Sequence, residues 1–241
     1  MARYRLVLEY DGAGLIGFQK NKDGDSVQSL AEEAVFRFCG QRAEVVGCGR
    51  TDAGVSAVAM PAHFDLENDV DAAVAKRALN FYLAGSPVAV ASCDRAADDF
   101  HARFSCIRRH YRYVVINRDF RPVLARGAWV PQKLDLAAMR AAAAELAGGH
   151  DFTSFRAKEC QARSPVKTLD GISIRAAGDE IRFDFSARSF LHHQVRNMAG
   201  TLIEIGRGKP LDIRAILAAK DRAAAGPTAP ACGLFFMRAE Y

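Results

Sequence analysis

The chain has 241 residues, of which half are hydrophobic and a quarter charged, and its formal net charge is +5. This composition is typical of a soluble globular protein with one large domain or two small ones, and it excludes a disordered or fibrous chain. No apolar run approaches the roughly 20 residues of a membrane span, and the six scattered cysteines form no Cys-x-x-Cys pair, so we expect a cytoplasmic protein without a zinc or dithiol redox site.

The first half of the chain combines predicted strands and helices. Apolar and polar residues alternate over 3–10, which predicts a strand with one buried face. This pattern differs from the long apolar core of a signal peptide. Ser26 is the expected N-cap of a helix that Gly40 closes, and Asp71 that of a second helix running towards Gly85. The other strands expected in this half are 43–47, 63–66 and 87–93.

The second half repeats this mixture. Asp135, Ser189 and Asp212 are the expected N-caps of three helices, and the helix from Ser189 to Gly206 is expected to be the longest. The strands expected in this half are 111–116, 169–175, 180–187 and 233–238. We therefore predict an α+β chain with an N-terminal domain over 1–105 and a C-terminal domain over 106–241.

Residues 47–54 place three glycines around one guanidinium and one carboxylate, those of Arg50 and Asp52. Glycine lets a ligand approach the backbone closely, so this loop could present an acid and a base to a cleft. A surface turn is the plain alternative, because Asp and Gly favour turns. A dinucleotide-binding loop is disfavoured, since Asp52 takes the third glycine position and would repel a pyrophosphate.

Basic and aromatic residues interleave between positions 100 and 113, and a second basic cluster spans 156–167. Arginine binds phosphates and aromatic faces stack on unpaired bases, so these clusters favour a nucleic-acid partner. Solvated strand faces are the alternative. In a strand, Tyr111 and Tyr113 share one face and Arg112 points to the other, so Tyr111 is either a core residue or a platform for a base.

His192, Arg196 and Gly200 are spaced four apart, which predicts one line on a helix. Glycine in mid-helix is unfavourable, so we expect another backbone or a ligand to come close to Gly200. Arg196 beside an apolar stripe would be half-buried and need an anionic partner, for which Asp52 is the candidate; a surface arginine is the alternative. The histidine spacings indicate no metal site.

Taken together, these segments resemble the tRNA pseudouridine synthase A family almost end to end. The matching motifs are 9–12 with 17–19, 49–55, 100–105 with 111–113, 150–155, 192–198, and 229–234. Two positions depart from the family pattern: Phe18 stands in place of a tryptophan, and Ser56 in place of a common histidine. The change at Ser56 lies beyond the core motif and bears on RNA contacts more than on catalysis.

The resemblance implies an isomerase that converts uridine to pseudouridine in the anticodon stem-loop of tRNA, at positions 38 to 40, without metal or nucleotide cofactor. It makes Asp52 the catalytic nucleophile, paired with Arg196, and leaves open attack on the sugar, attack on the uracil ring and, as the alternative to a nucleophile, removal of a sugar proton. Among the other substrate-binding residues, it sets Tyr111 against the base, gives Arg50 the displacement of that base from the RNA stack, and makes Leu234 part of the pocket.

The resemblance also implies a homodimer with the pseudouridine synthase fold, in which two similar mixed α/β halves share a central antiparallel sheet with helices on one side. A non-catalytic RNA-binding protein or tRNA chaperone would carry the same basic and aromatic clusters, and this alternative stays open. It needs no Asp52, so the carboxylate separates the two hypotheses.

Overall fold

The computed structural model describes residues 1–124 and 126–241, which form two compact units. Unit 1 comprises Met1–Ile107 and Phe236–Tyr241, and unit 2 comprises Arg108–Phe235. Both contain helices and mostly antiparallel strands, so the predicted mixed α/β fold class is confirmed. The last residues of the chain belong to unit 1, although the sequence pattern assigns them to the range 106–241.

In unit 1 the first strand of the chain lies between two antiparallel neighbours. The elements of this unit are β1 (Ala2–Tyr10), α1 (Val27–Cys39), β2 (Val46–Gly47), β3 (Ser56–Leu66), α2 (Ala72–Tyr82) and β4 (Val88–Arg95). Leu6 of β1 lies opposite Ala62 of β3 on one side and Cys93 of β4 on the other. The helices α1 and α2 pack against each other and against β4. The alternating residues of β1 therefore face a core that these helices cover.

Unit 2 has the same kind of layering. Its elements are β5 (Arg108–Asn117), β6 (Ala128–Val130), α3 (Leu136–Ala144), β7 (Gly148–Asp151), β8 (Val166–Ala177), β9 (Glu180–Ala187), α4 (Gln194–Gly206), α5 (Ile213–Ala219) and the start of β10 (Leu234–Glu240). Strands β5, β9, β8 and β7 are antiparallel neighbours in that order, and β6 runs parallel to β5. Helix α3 packs between α4 and β8.

Most predicted helix ends are confirmed by their hydrogen bonds. The side chains of Ser26, Asp71, Asp135 and Asp212 each accept a backbone N–H in the first turn of the helix that follows. Gly40 ends α1 in the left-handed region, with a φ of 73°. These ends were predictable because a cap is a contact between neighbours in sequence.

The start of α4 is a correction. The helix predicted from Ser189 begins at Gln194, because His193 before it has a left-handed φ of 61° that no helix residue adopts. His192 therefore lies outside the helix, and its predicted line with Arg196 and Gly200 is wrong. At 13 residues α4 equals α1 in length, so it is not longer than every other helix described.

Gly200 lies where another backbone crosses α4, as its mid-helix position predicts. A Cβ built on Gly200 would overlap the carbonyl oxygen of Pro227. A Cβ on Gly226 would come within 2.8 Å of the Thr201 Cα. The segment 226–230 therefore lies directly on the helix backbone, without an intervening layer of side chains.

We expect Gly200→Ala to lower the free energy of unfolding by about 1–3 kcal/mol, because the added methyl group must displace Pro227. Helix propensity alone predicts the opposite sign, a gain of about 1 kcal/mol. The measurement is denaturant unfolding followed by circular dichroism. Ala141→Gly on an exposed position of α3 is the control for propensity and should lose about 1 kcal/mol. A Gly200→Ala protein as stable as the parent would contradict the crossing.

Candidate active site

Asp52 lies in unit 1, on the loop between β2 and β3, where the backbone is held on both sides of it. The Asp52 carbonyl accepts the Val55 N–H at 3.1 Å, in a turn that gives Gly54 a φ of 79°. The preceding carbonyl, of Thr51, accepts the Phe18 N–H at 3.0 Å, and the Thr51 hydroxyl lies 2.8 Å from the Tyr10 hydroxyl. Asp52 itself is half-buried. The loop thus presents a carboxylate from a fixed backbone.

The segment 11–18 forms the support under this loop. The Gly12 N–H donates to the Ser56 hydroxyl at 3.0 Å. A Cβ on Gly12 would overlap the Val55 carbonyl, and one on Gly17 would lie 2.6 Å from the Thr51 oxygen. The two glycine-rich motifs in the first 56 residues therefore pack together, and the backbone of segment 11–18 lies directly against the backbone of the Asp52 loop.

The two departures from the family pattern lie under the loop. Ser56 is buried, and its hydroxyl holds the Gly12 N–H while lying 3.4 Å from the Asp11 carboxylate. Phe18 is also buried, and its ring lies against Gly47, where a Cβ would overlap it. Both side chains thus support the backbone around Asp52. Their burial gives each a structural role that the sequence did not predict.

A buried histidine anchors the motif at 100–105. His63 of β3 is only 4% exposed, and its Nδ1 accepts the Ala102 N–H at 3.2 Å. Burial, together with a smaller effect of the nearby His101 ring, lowers the pKa of His63 to about 4. The Tyr241 hydroxyl donates to the Ala102 carbonyl at 2.7 Å. Both backbone groups of Ala102 are therefore fixed within unit 1.

In unit 2, Arg196 is held by the segment that crosses α4. Its Nε donates to the Ala229 carbonyl at 2.9 Å, and its own carbonyl accepts the Ala229 N–H at 3.1 Å. The side chain is half-buried, as predicted. One hydrogen bond joins Ala229 to the α4 backbone and the other joins it to the guanidinium, so Ala229 orients the side chain relative to the helix.

Tyr111 lies on β5 with the predicted face. It is 9% exposed, and its ring meets the Phe190 ring edge-on, with the two ring centroids 5.2 Å apart. Arg112 points to the other face and pairs with Asp184 at 2.7 Å. Tyr113 is fully buried and donates to the Pro230 carbonyl at 2.9 Å, and burial raises the pKa of its hydroxyl. A contact of Tyr111 with a base stays a prediction.

Leu234 follows the same crossing segment and is buried. The preceding Gly233 lies against Tyr113, since a Cβ there would be 2.6 Å from the ring. Arg50, which precedes Asp52 by two residues in unit 1, is exposed. The predicted pairing of Asp52 with Arg196 stays a prediction.

Comparison with known proteins identifies the family. A family model described as tRNA pseudouridine synthase matches residues 142–241. The protein named tRNA pseudouridine synthase A in Rhodospirillum rubrum is 51% identical over 245 residues, covering 100% of this chain and 88% of the relative. The proteins of the same name in Rhodospirillum centenum and Azorhizobium caulinodans are 51% and 50% identical, covering 100% of this chain and 100% and 95% of theirs.

This chain belongs to the tRNA pseudouridine synthase A family. The hydrogen bonds described above for Thr51, Asp52 and Arg196 join residues of the family motifs. In unit 1 they surround Asp52, and in unit 2 they surround Arg196. Among the described residues, no helix has the length and hydropathy needed to cross a membrane.

Sequence reasoning missed several residues that support these family motifs. His63 gives no signal, because a single histidine in a strand has no periodicity of its own, and Ser56 stands out only as a departure from the family pattern, with no sign of its structural role. Asn197 gives a weak one: asparagine is a poor helix former, yet it lies inside α4 and is fully buried. A buried asparagine must have hydrogen-bond partners, and these come from distant segments of the chain.

We expect Gly17→Ala to disturb the Asp52 loop more than Gly14→Ala does. Both positions have positive φ, 109° and 80°, so both substitutions carry backbone strain. Only at Gly17 would the methyl group press on Thr51, since the space at Gly14 is open. Denaturant unfolding should show Gly17→Ala to be less stable than Gly14→Ala by at least about 1 kcal/mol. Equal losses would contradict the close contact.

We expect the folded protein to lose stability as the pH falls from about 6.5 to about 4, because in this range the unfolded chain binds a proton at His63 and the folded one does not. The loss from this residue amounts to about 3 kcal/mol. Unfolding at several pH values measures it, and an NMR titration gives the pKa directly.

The loss should shrink in His63→Gln and persist in the control His150→Gln, which changes a half-buried histidine of β7. An NMR midpoint near 6.5 for His63 would overturn the expectation.

Proposed function

We propose that this protein is an isomerase that converts uridine to pseudouridine in tRNA. The observation that carries the proposal is the half-buried Asp52 on a loop held from both sides, inside the motif shared with the family. Relatives that are half identical over the whole chain are named tRNA pseudouridine synthase A. The family resemblance further supports positions 38 to 40 of the anticodon stem-loop as the site of modification.

Asp52 is the nucleophile in this proposal. The reaction breaks the N-glycosidic bond of uridine, turns the detached uracil and forms a carbon–carbon glycosidic bond, so substrate and product have the same atoms. An ionised carboxylate can act on the target nucleotide only if it is held in a fixed position relative to it. The hydrogen bonds of Thr51 and Asp52 to segment 11–18 and to Val55 supply this fixed position.

Arg50 and Tyr111 bind the target nucleotide in this proposal. A base inside an RNA stack hides its glycosidic bond, so the uridine must be flipped out before reaction. Arg50 is exposed two residues from the carboxylate, which suits a side chain that displaces the base. Tyr111 has a ring fixed by Phe190, which suits a rigid surface for the flipped base.

Arg196 and Leu234 complete the binding residues. The guanidinium of Arg196 is fixed by Ala229 and can bind an anionic group in one orientation. Leu234 is buried and apolar, which suits the wall of a pocket for a planar ring. The segment 226–233 contacts Arg196 through Ala229 and is followed directly by Leu234, so its conformation influences the position of both side chains.

The partner in this proposal is tRNA. Exposed basic residues near the motif at 100–105 include Arg103 and Arg108, and Phe104 between them is 73% exposed. Lys158 and Arg163 are exposed in the second basic cluster. Cationic and aromatic side chains of this kind bind phosphates and stack on bases, and binding through them weakens as salt rises. We also propose a cytoplasmic homodimer, on the family resemblance.

We expect Asp52→Asn to reduce pseudouridine formation by at least about 10³-fold while tRNA affinity changes by less than about threefold, because the amide keeps the shape but not the nucleophile. The assay incubates purified protein with unmodified tRNA and maps pseudouridine in the anticodon arm. Asp23→Asn, an exposed aspartate of the same unit, is the control and should keep full activity.

Undiminished product with Asp52→Asn would exclude the proposed nucleophile. Absence of product with the wild-type protein, together with tight tRNA binding, would favour the RNA-binding or chaperone alternative.

A further inference from the structure

The segment 226–230 holds the Arg196 side chain within unit 2, where the Ala229 carbonyl accepts the Arg196 Nε–H at 2.9 Å. Its first two residues contact α4 directly. The Gly226 N–H donates to the Thr201 hydroxyl at 2.9 Å, and the Pro227 carbonyl lies on Gly200. A shift of this segment along α4 would therefore move the acceptor that orients the guanidinium.

Arg222 ties the segment to the helix. Its Nη1 donates to the Gly226 carbonyl at 2.8 Å. Its Nη2 lies 3.1 Å from both the Thr228 hydroxyl and the side-chain oxygen of Asn197. The Thr228 hydroxyl donates to the same Asn197 oxygen at 2.7 Å. One guanidinium thus joins two points of the segment to one point of α4.

Asn197 connects this cluster to the motif at 150–155. It is fully buried, and its side-chain amide donates to the Phe155 carbonyl at 2.8 Å. Asn197 follows Arg196 directly in α4. The cluster formed by Arg222, Asn197 and Thr228 is therefore fixed on one side to the helix residue next to Arg196 and on the other to the segment that holds its side chain.

Arg222 acts in this cluster as a hydrogen-bond donor to neutral groups and not as the cation of an ion pair. Each hydrogen bond of its guanidinium goes to a neutral oxygen, of Ala225, Gly226, Thr228 or Asn197. Burial lowers the pKa of this group, so placing a cation here costs free energy. What the guanidinium offers is geometry, since its planar fork reaches several acceptors at fixed angles, and lysine cannot do this.

We propose that Arg222 is a positioning residue for the reaction: it holds segment 226–230 on α4, so that Ala229 keeps the Arg196 guanidinium in its working orientation. This inference rests on the proposed function for its link to catalysis. The link predicts that loss of Arg222 impairs the chemical step and leaves tRNA binding nearly unchanged.

The test measures the single-turnover rate of pseudouridine formation and the dissociation constant for tRNA. Arg222→Met should lower the rate about 10–100-fold, as small displacements of a reacting group do, and change the dissociation constant less than about threefold. Arg222→Lys should resemble Arg222→Met, because it keeps the charge and loses the fork. Arg207→Met is the control, since Arg207 follows α4 and contacts Glu204 instead, and it should react at the wild-type rate.

A double-mutant cycle separates positioning from general damage. If Arg222 acts through Arg196, adding Arg222→Met to Arg196→Met should lower the rate less than about twofold further. An additional loss as large as in the wild-type background would overturn the proposal. Thr228→Val, a milder change in the same cluster, should give a smaller loss with the same dependence on Arg196, and it replaces Arg222→Met if that variant does not fold.

Hydrogen exchange tests the clamp without activity. The Ala229 amide should exchange faster in Arg222→Met than in wild type or Arg207→Met, because the segment is released from α4. Unchanged exchange would overturn the clamp even if the enzyme were slowed. A wild-type protein that forms no pseudouridine would refute the proposed function, while the exchange measurement would still decide the structural part.

Discussion

Backbone lying directly on backbone is the constraint on which the described site residues depend. In unit 1, Gly12 and Gly17 have no Cβ, so segment 11–18 can reach the carbonyls of Val55 and Thr51. In unit 2, Gly200 plays the same part beneath Pro227. A side chain at any of these positions would separate the two backbones. Each of these contacts thus fixes the backbone within a few positions of a charged residue, either Asp52 or Arg196.

Fixing the backbone has a chemical purpose in a family whose reaction needs no redox change. When a nucleotide is rearranged without gain or loss of atoms, the enzyme contributes mainly orientation and the placement of charge. The Asp52 loop is held by Phe18 and Val55, and Arg196 by Ala229. The polar atoms that do this work are mostly backbone groups, which side-chain substitutions leave in place. The family motifs therefore mark conformations of the chain as much as they mark reactive side chains.

The elements that the sequence predicts well are those defined by near neighbours. Alternation over β1 and the caps at Ser26 and Asp71 are local signals, and both are confirmed. Strand β3 begins at Ser56, well before the predicted residue 63. The prediction missed its first part because residues 60–64 are all buried and therefore show no two-residue period. The helix predicted from Ser189 begins later because His193 turns into the left-handed region, which nothing in its neighbours indicates.

By itself, the sequence determined the mixed α/β class and the family, since both are written in local patterns and motif order, and it proposed the residues with the right chemistry. The tertiary structure decided what holds those residues. Ser56 meets Gly12 from 44 positions away, His63 meets Ala102 from 39, and Thr228 meets Asn197 from 31. Hydrogen bonds over such separations depend on how the chain returns to itself, and no periodicity or spacing of residue types records that path.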